Sequence, residues 1–502
     1  MKPTFYLLFA LLLLPAAADA ARLTWLEQIP LESYEKMRET ERYQLGIAEK
    51  YYIKEEYKVA LDEYEKFLTL YESSTGAPYA QLMWSHCEAK LRRVNTAIRE
   101  GFQSVIDYWP NSREAVLAAY LIGHSYQEIG EVEKAKVAYG KLMETYPKDH
   151  VTVLAKVKLL EMATVAQKEE DRLELLEELT YNTPRTEESI PHCERASMEL
   201  ATFYFYAADW PNGLKALESS FVEAKLGEEI YDQINAPIRT LNGTEEDQPK
   251  AKDLADKAIA FIEAQIPVDM AEDANKALAR DRLNRMAGLY QAIADNKAVI
   301  ATYERTGKLI GIDDALLGQI AGFYKGITER DKARETYRRF ENQIEAERNL
   351  VYMLREEKKM DEAITGYRGL VEQDPDRIDE YLWAIAECYE GKSDWKNAIQ
   401  TFRQCDRYPA NYFRMAQCHR RMKEWPQAIQ LYGQAKAHEG SGPEALIQIG
   451  LTYEDAGQKE NAIKTLQLTC RTYPKTSQAS RAHAHLQTKY DITVTLGGAK
   501  DE

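Results

Sequence analysis

Long apolar runs are missing from this 502-residue chain after its first twenty positions. Nothing later approaches the roughly 20 consecutive apolar residues needed to cross a hydrocarbon core about 30 Å thick. Cysteine is scarce, with six in all, too few for the cross-linked scaffolds of small secreted domains. Positive charge is in deficit, since 65 Lys and Arg against 81 Asp and Glu leave a net charge of −16. That argues against nucleic acid or anionic lipid as a partner, because phosphate binding needs locally dense Lys and Arg. No G-x-S-x-G elbow, Walker loop, G-x-G-x-x-G run or H-E-x-x-H occurs, so the common catalytic signatures are absent. With 25 Gly, 17 Pro and 45% apolar content, collagen-like and disordered classes are excluded.

What is present begins with an export signal. Lys2 supplies a positive start, Phe5 to Leu14 an apolar stretch, and Ala18-Asp19-Ala20 a small-x-small cleavage site. The stretch is too short to span a membrane. Cleavage after Ala20 is expected, and the bacterial look of the signal points to a periplasm. No Cys lies near the cleavage site, which disfavours an acyl anchor.

The rest of the chain repeats itself. Gly450, Tyr453, Ala462, Leu466 and Pro474 are separated by steps of 3, 9, 4 and 8. Gly123, Tyr126, Ala135, Tyr139 and Pro147 carry the same steps. Partial copies start at Ala48, Ala321, Val351, Ala386 and Ala416. A small residue followed three later by an aromatic lies on one face of a first helix, and an Ala followed four later by an aromatic on one face of a second. The small residues let the helices approach, the rings fill the space beside them, and the Pro stops the second helix. Gly130 and Gly457 fall in the turn between helices, where positive φ is expected. Asp209-Trp210, Asp394-Trp395 and Glu424-Trp425 open variants of one pentapeptide suited to a helix start, with the Trp packing over the helix pair.

This pattern resembles the tetratricopeptide repeat family over residues 40–490. The resemblance implies an all-α fold: a right-handed superhelical solenoid of antiparallel helix pairs. Ala333, Ala363, Ala398, Ala428 and Ala462 are 30, 35, 30 and 34 residues apart, against a family period of about 34. The organisation expected is a signal over 1–20, an N-terminal array over 21–224, and an irregular joint or insertion over 225–275. A C-terminal array with a capping helix follows over 276–490, and then a tail over 491–502. The middle segment stands apart because Asn235-Ala236-Pro237, Leu241-Asn242-Gly243-Thr244 and Glu245-Glu246-Asp247 interrupt the pattern.

Candidate chemistry is thin. His483 and His485 are two apart, about 200° around a helix, so one face cannot offer both to a metal. His86-Cys87 and His192-Cys193 have the same problem. Neither a metal site nor a cofactor is expected. Cys388, Cys405 and Cys418 fall on successive helices, and both buried packing and a bridge remain open. The segment of most interest for binding is the first helix of the repeat around Ala416, with Arg414, Gln417, Arg420 and Arg421. The resemblance places that helix on the concave surface. The preceding repeat offers Glu380, Trp383, Glu387 and Glu390 there. Trp383, Arg414, Gln417, Arg420 and Arg421 are therefore the candidate partner-binding residues. A basic strip beside an acidic one suits a charged peptide, and equally suits ion pairing between adjacent repeats.

The function expected is a non-catalytic periplasmic scaffold that binds other proteins or peptide segments. The Tyr-Pro-x-x-Ser-x-x-Ala type of repeat ending is similar to exported relatives in outer-membrane assembly and the Tol-Pal system. The alternative is an enzyme or carbohydrate-handling protein whose helical array supports a site around 225–275.

Overall fold

The computed structural model describes residues 27–494; the expected export signal over 1–20 and the end of the expected tail lie outside that range. Every regular element among the described residues is helical. The chain divides into two compact units, residues 1–299 and 300–502, with the division inside the helix Asn296–Ile310.

Within each unit, helices follow one another as antiparallel pairs, and one turn geometry recurs between the two helices of a pair. In the pair Arg113–Glu128 and Val132–Thr145, Gly130 has φ +78°. Its N–H donates to the Gln127 carbonyl at 3.1 Å, and the next N–H, of Glu131, donates to the Tyr126 carbonyl at 2.9 Å. This crossed pair satisfies two carbonyls that a helix end leaves open. The same bonds close the turns at Lys358, Ser393, Lys423 and Gly457 in unit 2 and at Glu55, Arg92 and Ala208 in unit 1. At each turn the left-handed residue lies seven after the small residue of the first helix, as Gly130 does after Gly123 and Lys423 after Ala416. The expectation of positive φ at Gly130 and Gly457 is met. Most turns nevertheless use a residue with a Cβ.

The small residues do what their spacing suggested. A Cβ added to Gly123 would lie 2.6 Å from the Tyr139 ring, and one added to Gly450 2.8 Å from Leu466. Ala48, Ala321, Ala386 and Ala416 are fully buried at the equivalent place. Trp210 stacks on Phe205 with centroids 5.9 Å apart, and Trp395 packs beside Phe402, so two of the three repeated Trp residues serve the core.

One extra residue among the longer repeats of unit 1 is taken up locally. Ala60, Ala97 and Ala135 are the matching second-helix residues, 37 and 38 apart. At Ala97 the aromatic comes five later, at Phe102, because Gly101 takes the fourth place. A π-helical segment, Ala97–Phe102, absorbs the extra residue. Phe102 is thereby returned to the core, 1% exposed.

Residues 225–275, expected as an irregular joint or insertion, instead form two helices, Glu223–Asn242 and Gln248–Ala264. Leu226, Ile230, Ile234 and Ile238 recur every fourth residue and are buried with Leu254, Ala258 and Ile262. Pro237 sits inside the first of these helices without ending it. The interruptions read from sequence are the helix end and a turn in which the Thr244 hydroxyl donates to Asp247 at 3.0 Å. In unit 2 the final helix, Ser477–Tyr490, buries Ala479, Ala482 and Leu486 and is capped by Thr476. The first residues after it are packed, Val494 being buried beside Leu486.

Thr328 carries a β-branched side chain at φ +65°, where a Cβ costs about 1–2 kcal/mol. Thr328→Gly is expected to raise stability by about 0.5–1 kcal/mol after the extra chain entropy of glycine. Gly130→Ala is expected to lower it by about 1 kcal/mol. Urea denaturation midpoints of the two variants check both signs.

Candidate interaction surface

In unit 2 the first helices of successive pairs present their charged residues to one another. Lys325 pairs with Glu356 at 3.0 Å and Arg355 with Glu387 at 3.0 Å. Arg414 reaches both Glu387, at 3.5 Å, and Glu390. Arg420 pairs with Asp455 at 2.5 Å, and Glu454 accepts from His485 and Lys489 of the last helix. Lys325, Arg355, Glu390, Arg420 and Glu454 all lie four residues after the small residue of their helix. One helical offset thus carries an inter-repeat ladder of charge.

The candidate residues divide across this ladder. Trp383 donates from Nε1 to Glu387 at 3.1 Å, meets Phe402 edge-on at 4.9 Å, and lies under the Arg407 guanidinium. Arg414 is held by the two glutamates and lies over the Phe402 ring at 5.5 Å. Burial pushes the Glu390 carboxyl above the usual range, and the Arg414 charge pulls it back. Arg420 donates to Asp455 and to Gln448 at 3.1 Å. Gln417 and Arg421 are exposed.

Gln417, Arg420 and Arg421 come together in a cleft of about 540 Å³ that is completed by Lys423, Trp425 and the Gln448–Asp455 side. Asp455 compensates Arg420. Arg421 and Lys423 are exposed and make no ion pair among the described residues. The cleft therefore combines two uncompensated cations, two amide side chains and an aromatic wall. Trp383 and Arg414 are not part of it. The sequence pattern does not single out Lys423 and reads Trp425 as packing over the helix pair; the turn brings both beside the first helix. The available signal was that Trp425, unlike Trp210 and Trp395, follows a glutamate that makes no side-chain cap.

Four stretches of the chain, residues 117–149, 380–411, 410–438 and 444–476, match the family model described as tetratricopeptide repeat. The chain carries tetratricopeptide repeats. The cleft is built by two of these matched repeats. No curated protein matches the sequence. Among solved structures, the chain is similar to the Cut9–Hcn1 hetero-tetramer of the APC/C, at 15% identity over 90% of this chain and 97% of that one, with a TM-score of 0.25. It is similar to yeast Tom70, at 13% identity over 89% and 95% of the two chains, with a TM-score of 0.28. For Naa15/Naa10 bound to HypK-THB the identity is 12% over 90% and 71%, with a TM-score of 0.36.

The remaining candidates are core. All six cysteines are free and buried. The Cys405 thiol is pushed up to about 11 by burial, and Cys418, against Glu390 at 3.2 Å, is raised by burial and by that carboxylate. Such thiols are held protonated, the reverse of a nucleophile's setting. Among the described residues no group of three or more His, Cys, Asp or Glu is placed to hold a metal ion, and no helix is long and apolar enough to cross a membrane.

Replacing Arg414 strands a half-buried carboxylate. Arg414→Met is expected to cost about 1–2 kcal/mol at pH 7. Because the folded-state pKa of Glu390 is already raised and rises further without Arg414, protonation relieves the cost. The deficit should shrink as pH falls toward the carboxylate range, a trend that denaturation midpoints at pH 7 and pH 5 would expose.

Proposed function

We propose that this protein is an exported, non-catalytic tetratricopeptide scaffold that binds acidic segments of other proteins in the periplasm. The observation that carries the reading is the cleft of Gln417, Arg421, Lys423 and Trp425. Two cations that make no ion pair among the described residues, on a chain whose overall charge is −16, make a local exception that attracts anionic segments. The Arg guanidinium can grip a carboxylate with two hydrogen bonds, and Trp425 supplies a flat apolar wall for a neighbouring side chain. Because paired helices hold these groups in place, binding needs little ordering of the scaffold.

Export rests on Lys2, the Phe5–Leu14 stretch and Ala18-Asp19-Ala20. Work in cell-envelope assembly is the setting that fits an exported scaffold whose last repeat ends Tyr473-Pro474-Lys475-Thr476-Ser477-Gln478-Ala479. Nothing favours the enzyme alternative, since residues 225–275 are occupied by helices whose apolar residues build the core.

Affinity capture from an envelope extract, comparing the parent protein with an Arg421→Glu/Lys423→Glu variant, tests the site. Neither substitution breaks an ion pair, so the fold should hold, and the captured set should fall at least tenfold. Equal capture would dismiss the cleft. N-terminal sequencing of protein recovered from the same cells should begin at Ala21; an intact Met1 in that material would dismiss export.

A further inference from the structure

The first-helix surface of unit 1 is already covered, by the chain itself. Residues 27–29 lie against three successive first helices, Glu39–Ile53, Ala77–Lys90 and Arg113–Glu128. The Glu27 carboxylate accepts from the Tyr52 hydroxyl at 2.5 Å. The Glu27 carbonyl accepts from the Tyr79 hydroxyl at 2.8 Å, and the Gln28 carbonyl from Arg113 at 3.0 Å. Ile29 packs on the core of the first pairs while Gln28 faces solvent. Side-chain carboxylate, two main-chain carbonyls and one apolar anchor are the kinds of contact that hold a peptide segment on a groove.

The receiving residues hold the positions that carry the charge ladder in unit 2. Tyr52 stands four after Ala48, as Arg420 does after Ala416. Glu49 stands one after Ala48, the place of Glu387 and Gln417 in their repeats. Tyr79 stands six before Ser85, as Glu444, which pairs with Arg481 of the last helix at 3.2 Å, does before Gly450. Where unit 2 joins these positions helix to helix by ion pairs, unit 1 joins them through the segment laid across them. Beneath it, Tyr79 also donates to Glu49 at 2.8 Å, and burial raises the Glu49 carboxyl. His86 is buried on the middle helix and its Nε2 has no hydrogen-bond partner among the described residues.

We infer that residues 27–29 are a self-ligand: they fill a peptide groove of unit 1 whose exchange partner is a protein segment with a Glu or Asp side chain two residues before an apolar one. The inference rests on the scaffold reading but concerns a different surface from the unit 2 cleft. A partner gains only the difference between its own contacts and those of Glu27, Gln28 and Ile29, so the segment sets a threshold for binding.

The test uses the full chain and a blocked synthetic peptide of residues 23–30, Leu-Thr-Trp-Leu-Glu-Gln-Ile-Pro. Glu27→Ala/Ile29→Ala should loosen the self-ligand and leave Tyr52, Tyr79 and Arg113 in place. Calorimetric titration should show that this variant binds the peptide at least tenfold more tightly than the parent chain. Adding Tyr52→Phe, or replacing the peptide's Glu by Ala, should remove that gain. As a second route independent of the double variant, Gln28→Cys gives one accessible thiol among buried ones. A fluorophore there should respond saturably to the peptide and not to its Glu-to-Ala form. Equal affinities for parent and variant, or a label indifferent to the peptide, would overturn the inference. If capture through Arg421 and Lys423 persisted in that case, the scaffold reading would stand without it.

Discussion

The crossed pair of backbone hydrogen bonds at the turns that hold a left-handed residue is the constraint on which everything else hangs. It holds one residue in the left-handed region and ends the first helix at a fixed distance from the small residue. It also begins the second helix so that its Ala falls five residues after the left-handed one, as Ala135 does after Gly130. Geometry at the turn thus sets which residues face across the pair. The interval of 9 between Tyr126 and Ala135 is the arithmetic of that turn. That the turn survives with Lys, Ser, Thr and Glu in the left-handed position, each at some cost, shows that packing of the flanking helices outweighs local backbone preference. The two glycines are an easier solution, not a requirement.

This explains what could be read in the sequence. Steps of 3, 9, 4 and 8 are consequences of a backbone device, so they persist where side-chain chemistry drifts. The helical pairs were therefore legible from Gly123, Tyr126, Ala135 and Tyr139 alone. Residues 225–275 misled for the opposite reason. Their two helices are long, and the first contains Pro237, so the familiar intervals vanish. The buried recurrence of Leu226, Ile230, Ile234 and Ile238 is a plain helical signal that needs no repeat template. The π-helical segment at Ala97–Phe102 was hidden differently, since a single displaced aromatic reads as noise until its ring is seen back in the core.

Site residues were less legible, because a charged side chain is assigned by its neighbour and the neighbour here belongs to another repeat. Arg414 and Arg420 look alike in sequence to Arg421, all being cations on one helix. Only the stacking distance between first helices determines that the former two meet Glu390 and Asp455 while Arg421 meets solvent. The ladder also has a cost that limits it. Burial raises the Glu390 carboxyl and the Arg414 charge opposes that rise, which ties the order of the surface to the charge of both partners.

Unit 1 meets the same problem with different groups. Tyr52 and Tyr79 bring hydroxyls to positions where unit 2 has charges, and a buried hydroxyl without an acceptor is costly. Helix–helix pairing cannot satisfy both, since Glu49 is the carboxylate that Tyr79 reaches on the adjacent helix and Tyr52 turns away to Glu27. Residues 27–29 bring the missing acceptor for Tyr52, the Glu27 carboxylate, and add two carbonyls that face Tyr79 and Arg113. A surface that needs acceptors from outside its own helices is incomplete as a stack and complete only when a chain segment lies on it. The same pattern of donors that keeps the segment in place therefore specifies what can replace it: a segment that offers free acceptors, one of them an acidic side chain, ahead of an apolar anchor.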